Sequence, residues 1–227
     1  MGGAPTSFNA MFIDPGQFEF TSYLESNWQE IRDEYVALPE DVFQPWVQRE
    51  MYGEGWSVYG LHAFGEKIEP ALAICPKTAS HLLKVPGLTT AGFSRLAPMA
   101  HIEPHVGWVN SVYRVHLGLA VPSSCRLRVG NEVRNWVEGE CLIFDDTVEH
   151  EAWNESAQFR VILLLDFLRP GVKDSGGDVM PADVANFVRK SLGGGREHIG
   201  VERAPNQLAV KSKSRKILSR WRVTNKI

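Results

Sequence analysis

Apolar residues along this chain recur in two rhythms. In QFEFTSYLESNWQEIRDEY (17–35), Phe20, Leu24, Trp28 and Ile31 fall three or four apart, which predicts an amphipathic helix with Thr21 or Ser22 as its cap. Pro39 and Pro45 end that rhythm. A further short helix is predicted in CPKTASHLLKV (75–85), where Pro76 sits near the start. GWSVYGLHAFGEKI (55–68) opens a stretch of short apolar-aromatic runs broken by Gly, Pro and Asn. From about 90 to 168 the runs read as strands: GFSRLAP, AHIEPHVGW, YRVHLGLAVP, CRLRVGNEVRNW, GECLIFDD, HEAWN and FRVILLLDFL. GNE at 130–132 and VEGE at 137–140 read as hairpin turns. Seven or so short strands, with turn signals roughly every 8–12 residues, predict a mainly β sandwich or barrel, and a jelly roll fits best.

This patterning divides the chain into three parts: a helical or extended segment (1–54) packing on the barrel, the β domain (55–170), and a C-terminal helix with a basic tail (171–227). After Pro170 a short helix is predicted over 181–192, ended by a triple glycine. The tail 203–227 holds eight Lys/Arg and no acid. It reads as a solvated tail, with Ile217, Leu218, Trp221 and Val223 as the side that would make a weak membrane or partner contact.

Composition narrows the class. A chain of 227 residues supports one sizeable domain, and 44% hydrophobic with 22% charged residues is globular usage. The net charge of −3 gives no case for nucleic-acid binding. The longest apolar run, VILLLDFL (161–168), is broken by Asp166 and too short to span a bilayer. The N-terminus lacks a secretory pattern, and MGGAPTS is only a loose match to an N-myristoylation signal. Cys75, Cys125 and Cys141 are odd in number and far apart, which predicts no disulfide framework and a reducing, cytoplasmic setting.

The candidate chemistry lies in the β region. Residues two apart on a strand share a face, so HIEPHVG predicts His101, Glu103, His105 and Gly107 on one side, inward if His105 is inward. Pro104 argues against a helix, and therefore against a zinc-protease HExxH motif. His150 follows His105 by 45 residues in equally strand-like sequence. Imidazole suits Fe, Zn and Cu, and two histidines with a carboxylate mark non-haem iron oxygenases. Gly107 stands where that carboxylate is expected, which leaves a coordination position to water or another small ligand. Arg160, ten residues past His150, lies among apolar neighbours and needs an anionic partner such as a dicarboxylate. Arg114 and His116 share a strand face, and Ser94 is a further candidate hydroxyl. Any one of these histidines alone would read as a hydrogen-bonded core residue; their joint order and spacing points to a site.

The stretch 90–170 resembles the aspartyl/asparaginyl β-hydroxylase family of Fe(II)- and 2-oxoglutarate-dependent oxygenases. The motifs that carry the resemblance are PHxGxxN (Pro104, His105, Gly107, Asn110), RxHLGL (Arg114, His116–Leu119), IFDDxxEHExWN (Ile143–Asn154) and FRxIxxxD (Phe159–Asp166). The resemblance implies a double-stranded β-helix and an iron site of two histidines without the usual carboxylate. It implies His105 and His150 as metal ligands, and Arg160 as the partner of the distal carboxylate of 2-oxoglutarate. Ser94 and His116 would hydrogen-bond that co-substrate, with Arg114 supporting them. Apart from the resemblance, the nearness of Asp145 and Asp146 to His150 in the chain suggests that one of them would orient metal-bound water in place of the missing ligand. The implied reaction consumes O2 and releases succinate and CO2. The expected substrate is the β-carbon of an aspartyl or asparaginyl residue, in a peptide, protein or small amino acid. GWSVYGLHAFGEKI and CPKT extend the likeness toward relatives that hydroxylate lipid acyl chains. Residues 1–55 do not resemble the helical-repeat domain of the vertebrate members.

Other readings remain at this point. Acyl-chain hydroxylation shares the same chemistry. Halogenation would use the room beside Gly107 for chloride. A cupin-like binding module without turnover has no need of His105, His150 and Arg160 together. A structural zinc site would have only two good ligands.

Overall fold

The computed structural model describes residues 11–173 together with Val184, Asn186, Phe187 and Lys190. The strands are β1 (Phe12–Ile13), β2 (Gln44–Pro45), β3 (Trp56–Ala63), β4 (Glu66–Lys67), β5 (Leu88–Leu96), β6 (His101–His105), β7 (Val112–Ala120), β8 (Cys125–Val129), β9 (Glu132–Asn135), β10 (Cys141–Phe144), β11 (His150–Asn154) and β12 (Arg160–Leu168). The helices are α1 (Glu19–Ser26), α2 (Trp28–Ala37), α3 (Glu69–Ile74) and α4 (Pro76–Leu82). The strands form two antiparallel sheets. The larger runs β1-β10-β7-β12-β5-β3-β2 with β4 on β3, and the smaller runs β6-β11-β8-β9. This is the jelly roll that the strand spacing predicts.

The larger sheet is covered on both faces, which explains why FRVILLL is apolar without alternation. Val161, Leu163, Leu165 and Phe167 of β12 face outward with Phe93, Val115 and Leu117, and pack under Leu24, Ile31, Leu72 and Leu82 of the helices. The alternate residues of β12, Arg160, Ile162, Leu164 and Asp166, face the small sheet. There Leu96, Phe144 and Ile162 meet Ile102, Leu127, Val129 and Ala152 in a second core. Two polar residues on that inner face of a central strand mark where the barrel does more than pack.

Three local expectations change. The helix predicted over 17–35 is two helices, α1 and α2, divided at Asn27, which leaves the helical region at φ −121° and ψ 13°. Neither Thr21 nor Ser22 is a cap. Thr21 lies inside α1, where its hydroxyl donates to the carbonyls of Phe18 and Pro15 at 2.7 and 2.9 Å. The helix predicted in 75–85 forms as α4, preceded by α3, which the sequence pattern did not predict. The first N–H groups of α4 are met from another helix: Lys77 and Thr78 donate to the Glu34 carboxylate at 2.8 and 2.7 Å.

The third change concerns β6. His105 stands opposite His150, yet Ile102 stands opposite Ala152, so three residues of β6 answer two of β11. This bulge falls at Pro104, which has no N–H for the ladder, on an edge strand where bulges are tolerated. His101 and Glu103 therefore do not share the inward face of His105. His101 stacks on Trp153 at 5.2 Å and bonds Glu151 at 3.1 Å, while Glu103 is exposed and pairs with His101.

Within the predicted helix 181–192, the described residues Val184, Asn186, Phe187 and Lys190 are helical, and Val184 joins the outer core. The basic tail 203–227 and the N-terminal MGGAPTS lie outside the described residues. Among the described residues no helix is long and apolar enough to cross a membrane.

Candidate active site

His105 closes β6 and His150 opens β11, directly opposite each other in the ladder, with ring centroids 4.1 Å apart. Each ring is oriented by the backbone carbonyl two residues before it. Nδ1 of His105 donates to the Glu103 carbonyl at 2.7 Å, and Nδ1 of His150 donates to the Val148 carbonyl at 2.8 Å. The Nε2 lone pairs are thereby the free ends. Burial lowers both pKa values, and the neighbouring His105 helps to push His150 down to about 3. The pair is two neutral imidazoles near neutral pH, the state in which histidine binds metal.

Asp146 stands beside them. Its Oδ1 lies 3.3 Å from His150 Nε2 and accepts from Arg114 Nη1 at 2.5 Å. Its backbone carbonyl accepts from the Gly107 N–H at 2.7 Å. Arg114 in turn grips Asp166 through Nε and Nη2, at 2.8 and 2.9 Å. Burial raises the carboxyls of Asp146 and Asp166, Arg114 opposes that rise, and together they hold Arg114 strongly cationic. Asp145 faces elsewhere: Thr147 and Arg169 occupy its Oδ1. Of the two aspartates singled out from the sequence, Asp146 is the one at the histidines.

Deeper in the barrel, Arg160 is 2% exposed, with its guanidinium 4.7 Å over Trp136. Its Nε and Nη1 are buried and have no hydrogen-bond partner. Trp136 Nε1 donates to Nδ1 of His116 at 3.2 Å, so neutral His116 carries its proton on Nε2, which is also buried and unpartnered. Burial and the Arg160 charge push the His116 pKa well below its ordinary value. Ser94 accepts from Trp56 Nε1 at 3.0 Å, which leaves its own hydroxyl hydrogen to donate. Ser94 pairs with Ile162 and His116 with Leu164, so both polar groups share the inner face with Arg160.

A sequence profile described as Aspartyl/Asparaginyl beta-hydroxylase matches residues 25–170. The chain belongs to this family. It is 47% identical over 118 residues to an ornithine lipid ester-linked acyl 2-hydroxylase of Rhizobium tropici, covering 51% of this chain and 42% of that protein. It is 35% identical over 178 residues to the aspartyl/asparaginyl beta-hydroxylase of Homo sapiens, covering 74% of this chain and 24% of that one. The chain thus spans less than half the length of either relative. A Burkholderia pseudomallei oxidoreductase of the 2OG-Fe(II) oxygenase family aligns with a TM-score of 0.45 at 13% identity, covering 66% of this chain and 81% of that one.

In this β-hydroxylase-family chain a cavity of about 120 Å³ opens past His105, Gly107 and Asp146. Its wall is largely apolar, with Trp46, Met51, Trp56, Val58, Ile68 and Trp108 contributing. Among its described lining residues the sole Lys or Arg is Arg114, already held by two carboxylates.

The fold brings His105, His150, Arg160, Ser94 and His116 to one interior. Arg114 reaches it through Asp146 and Asp166 instead of through an open donor. Trp56 and Trp136, which orient Ser94 and His116, escaped the sequence reading because a lone tryptophan in a strand or turn reads as core. Asp166 did leave a signal, as the acid that interrupts an apolar run.

Proposed function

We propose that this protein is an Fe(II)- and 2-oxoglutarate-dependent oxygenase that hydroxylates an unactivated C–H bond, with His105 and His150 as the metal ligands. The observation that carries this reading is Arg160: a buried guanidinium with two unpartnered N–H groups on the face that fronts the paired imidazoles. Unpaired buried cations are costly, so such a group implies a bound anion.

The residues present fit both the metal and the co-substrate. Neutral imidazoles with free Nε2 atoms supply the donor set for Fe(II). Arg160 would take the far carboxylate of 2-oxoglutarate, with the Ser94 hydroxyl and His116 Nε2–H as further donors. The charges also balance. Arg114 and Arg160 against Asp146 and Asp166 sum to zero, and Fe(II) with dianionic 2-oxoglutarate adds zero again. When bound, iron and 2-oxoglutarate together activate O2 for C–H oxidation, with release of succinate and CO2.

The chain's own groups do the rest. The two imidazoles are fixed by bonds to the backbone carbonyls two residues before them and need no reorganisation on binding. Asp146 sits where it can accept a hydrogen bond from a water beside His150. Arg114 holds Asp146 in place and ties it to Asp166. The apolar wall excludes bulk water from the reacting centre.

The wall also bears on the substrate. Apolar, largely aromatic walls with no free cation among the described lining residues suit a carbon on an acyl chain, and the Rhizobium relative is described as an acyl hydroxylase. The second reading, β-hydroxylation of an aspartyl or asparaginyl residue, follows from the family description and the human relative.

Fe(II) and 2-oxoglutarate added without oxygen and then exposed to air, with succinate quantified, test both. The panel holds acylated amino-acid lipids, Asp and Asn peptides, and free amino acids. Succinate that rises with acyl substrates supports the first reading, and with peptides the second. No histidine-dependent metal binding and no succinate under any condition would overturn the oxygenase assignment.

A further inference from the structure

Resting on the two-histidine reading above, we propose that the Asp146 carboxylate is a built-in anion that excludes halide from the space left by Gly107. A glycine at this position removes a carboxylate and would by itself leave room for chloride. The structure shows that the room is taken. A Cβ built on Gly107 would lie 1.6 Å from Asp146 Oδ2 and 2.4 Å from its Cγ. The aspartate reaches this place from the turn between β10 and β11, not from β6.

Asp146 is held there rather than passing through. Its side chain is 4% exposed, Arg114 Nη1 donates to Oδ1, and the Gly107 N–H donates to its carbonyl. The preceding residue, Asp145, is pinned by Thr147 and Arg169, which fixes the turn that carries it. Vacating the space would strand an Arg114 N–H.

Charge argues the same way. Protein groups, metal and co-substrate already sum to zero with Asp146 ionised, so a halide would add an unmatched buried negative charge. A fixed carboxylate within contact distance repels an anion strongly in a partly desolvated site. The site can hold the carboxylate or a halide, and the chain has chosen the carboxylate. Removing Asp146 would reverse both terms, because it opens the space and frees an Arg114 N–H that points into it.

The test uses the full chain loaded with Co(II), whose visible spectrum reports changes in its ligands without turnover. Sodium bromide is titrated against sodium perchlorate at matched ionic strength. In the wild type, no bromide-specific spectral change is expected. Asp146→Ala should gain a saturable one, with bromide bound roughly a hundredfold or more tighter than any wild-type response. Asp146→Asn keeps the volume and removes the charge, so it should fall between them; it also carries the test if the alanine variant does not fold. Bromide binding by the wild type as tight as by Asp146→Ala, or none by either variant, overturns the proposal while leaving the iron reading intact. A Co(II) spectrum that is absent in the wild type, or unchanged in the His105→Ala/His150→Ala double variant, overturns the iron reading and the halide inference with it.

Discussion

Gly107 and Asp146 share one position: the space a side chain at 107, just past the end of β6, would fill is filled instead by a carboxylate arriving from the turn before β11, with Oδ2 only 1.6 Å from where a Cβ at 107 would stand. Gly107→Ala must therefore displace Asp146 and break its contact with Arg114. We expect a loss of about 1–3 kcal/mol in unfolding free energy and weaker Fe(II) binding. Urea denaturation and a metal titration check this; a variant as stable and as metal-competent as the wild type would show that Asp146 moves freely.

Arg160 has an opposite signature in the two states of the protein. Arg160→Met should weaken 2-oxoglutarate binding about a hundredfold with little effect on metal affinity. The same change should leave the ligand-free fold as stable or more so, because it removes an unpaired buried cation. Calorimetric titration of 2-oxoglutarate into metal-loaded protein, alongside melting of the ligand-free protein, measures both. Equal losses of metal and co-substrate affinity would make the arginine structural.

His150→Ala removes one of two imidazoles aimed at a common point and should abolish iron binding and turnover. Equilibrium dialysis against Fe(II) decides it. Wild-type activity in this variant would sink the site assignment.

The metal-free protein should lose stability in mild acid. His105, His116 and His150 all have pKa values lowered in the folded state, His150 to about 3. Below about 6.5 the unfolded chain binds protons that the folded chain refuses, so stability falls as pH drops from there toward 3. For His150 the slope is roughly 1.4 kcal/mol per pH unit across that window, and His105 and His116 add to it in the same direction. Urea midpoints across pH 7 to 4 with chelator present should show it, and His116→Gln should flatten the slope. An identical slope in that variant would mean His116 is solvated.

Asn154 ties three segments. Its amide donates to the carbonyls of Leu96, Ala97 and Gln158 at 2.7–2.9 Å, and its Oδ1 accepts from Ser156 and Cys125. The side chain is fully buried. Asn154→Ala leaves several buried polar groups unmet and should cost about 3 kcal/mol. A change below about 1 kcal/mol would show that water replaces the amide.

Most strands were legible because their signals are local. Alternation, β-branched and aromatic content, and the turn glycines at Gly130 and Gly139 act over a few residues and do not depend on what packs above them. The same holds for the paired histidines and the basic strand residue, since each motif is contiguous. The division of the first helix at Asn27 was less visible, as Phe20, Leu24, Trp28 and Ile31 keep helical spacing across the break.

Local patterning carried the jelly-roll architecture, the family, and which residue types could form a metal and co-substrate site. How those residues are aimed depends on long-range packing. The bulge at Pro104 turns His101 and Glu103 away from His105, because a residue without an N–H cannot continue the ladder on that strand. Asp146 rather than Asp145 meets the histidines, because Thr147 and Arg169 hold the other carboxylate. Arg114 became a buttress and Arg160 an open cation for one reason: Asp146 reaches the first from the turn between β10 and β11 and Asp166 from the neighbouring strand β12, and no described acid reaches the second. Such pairings depend on which chain segments meet across the barrel, and no local pattern encodes that.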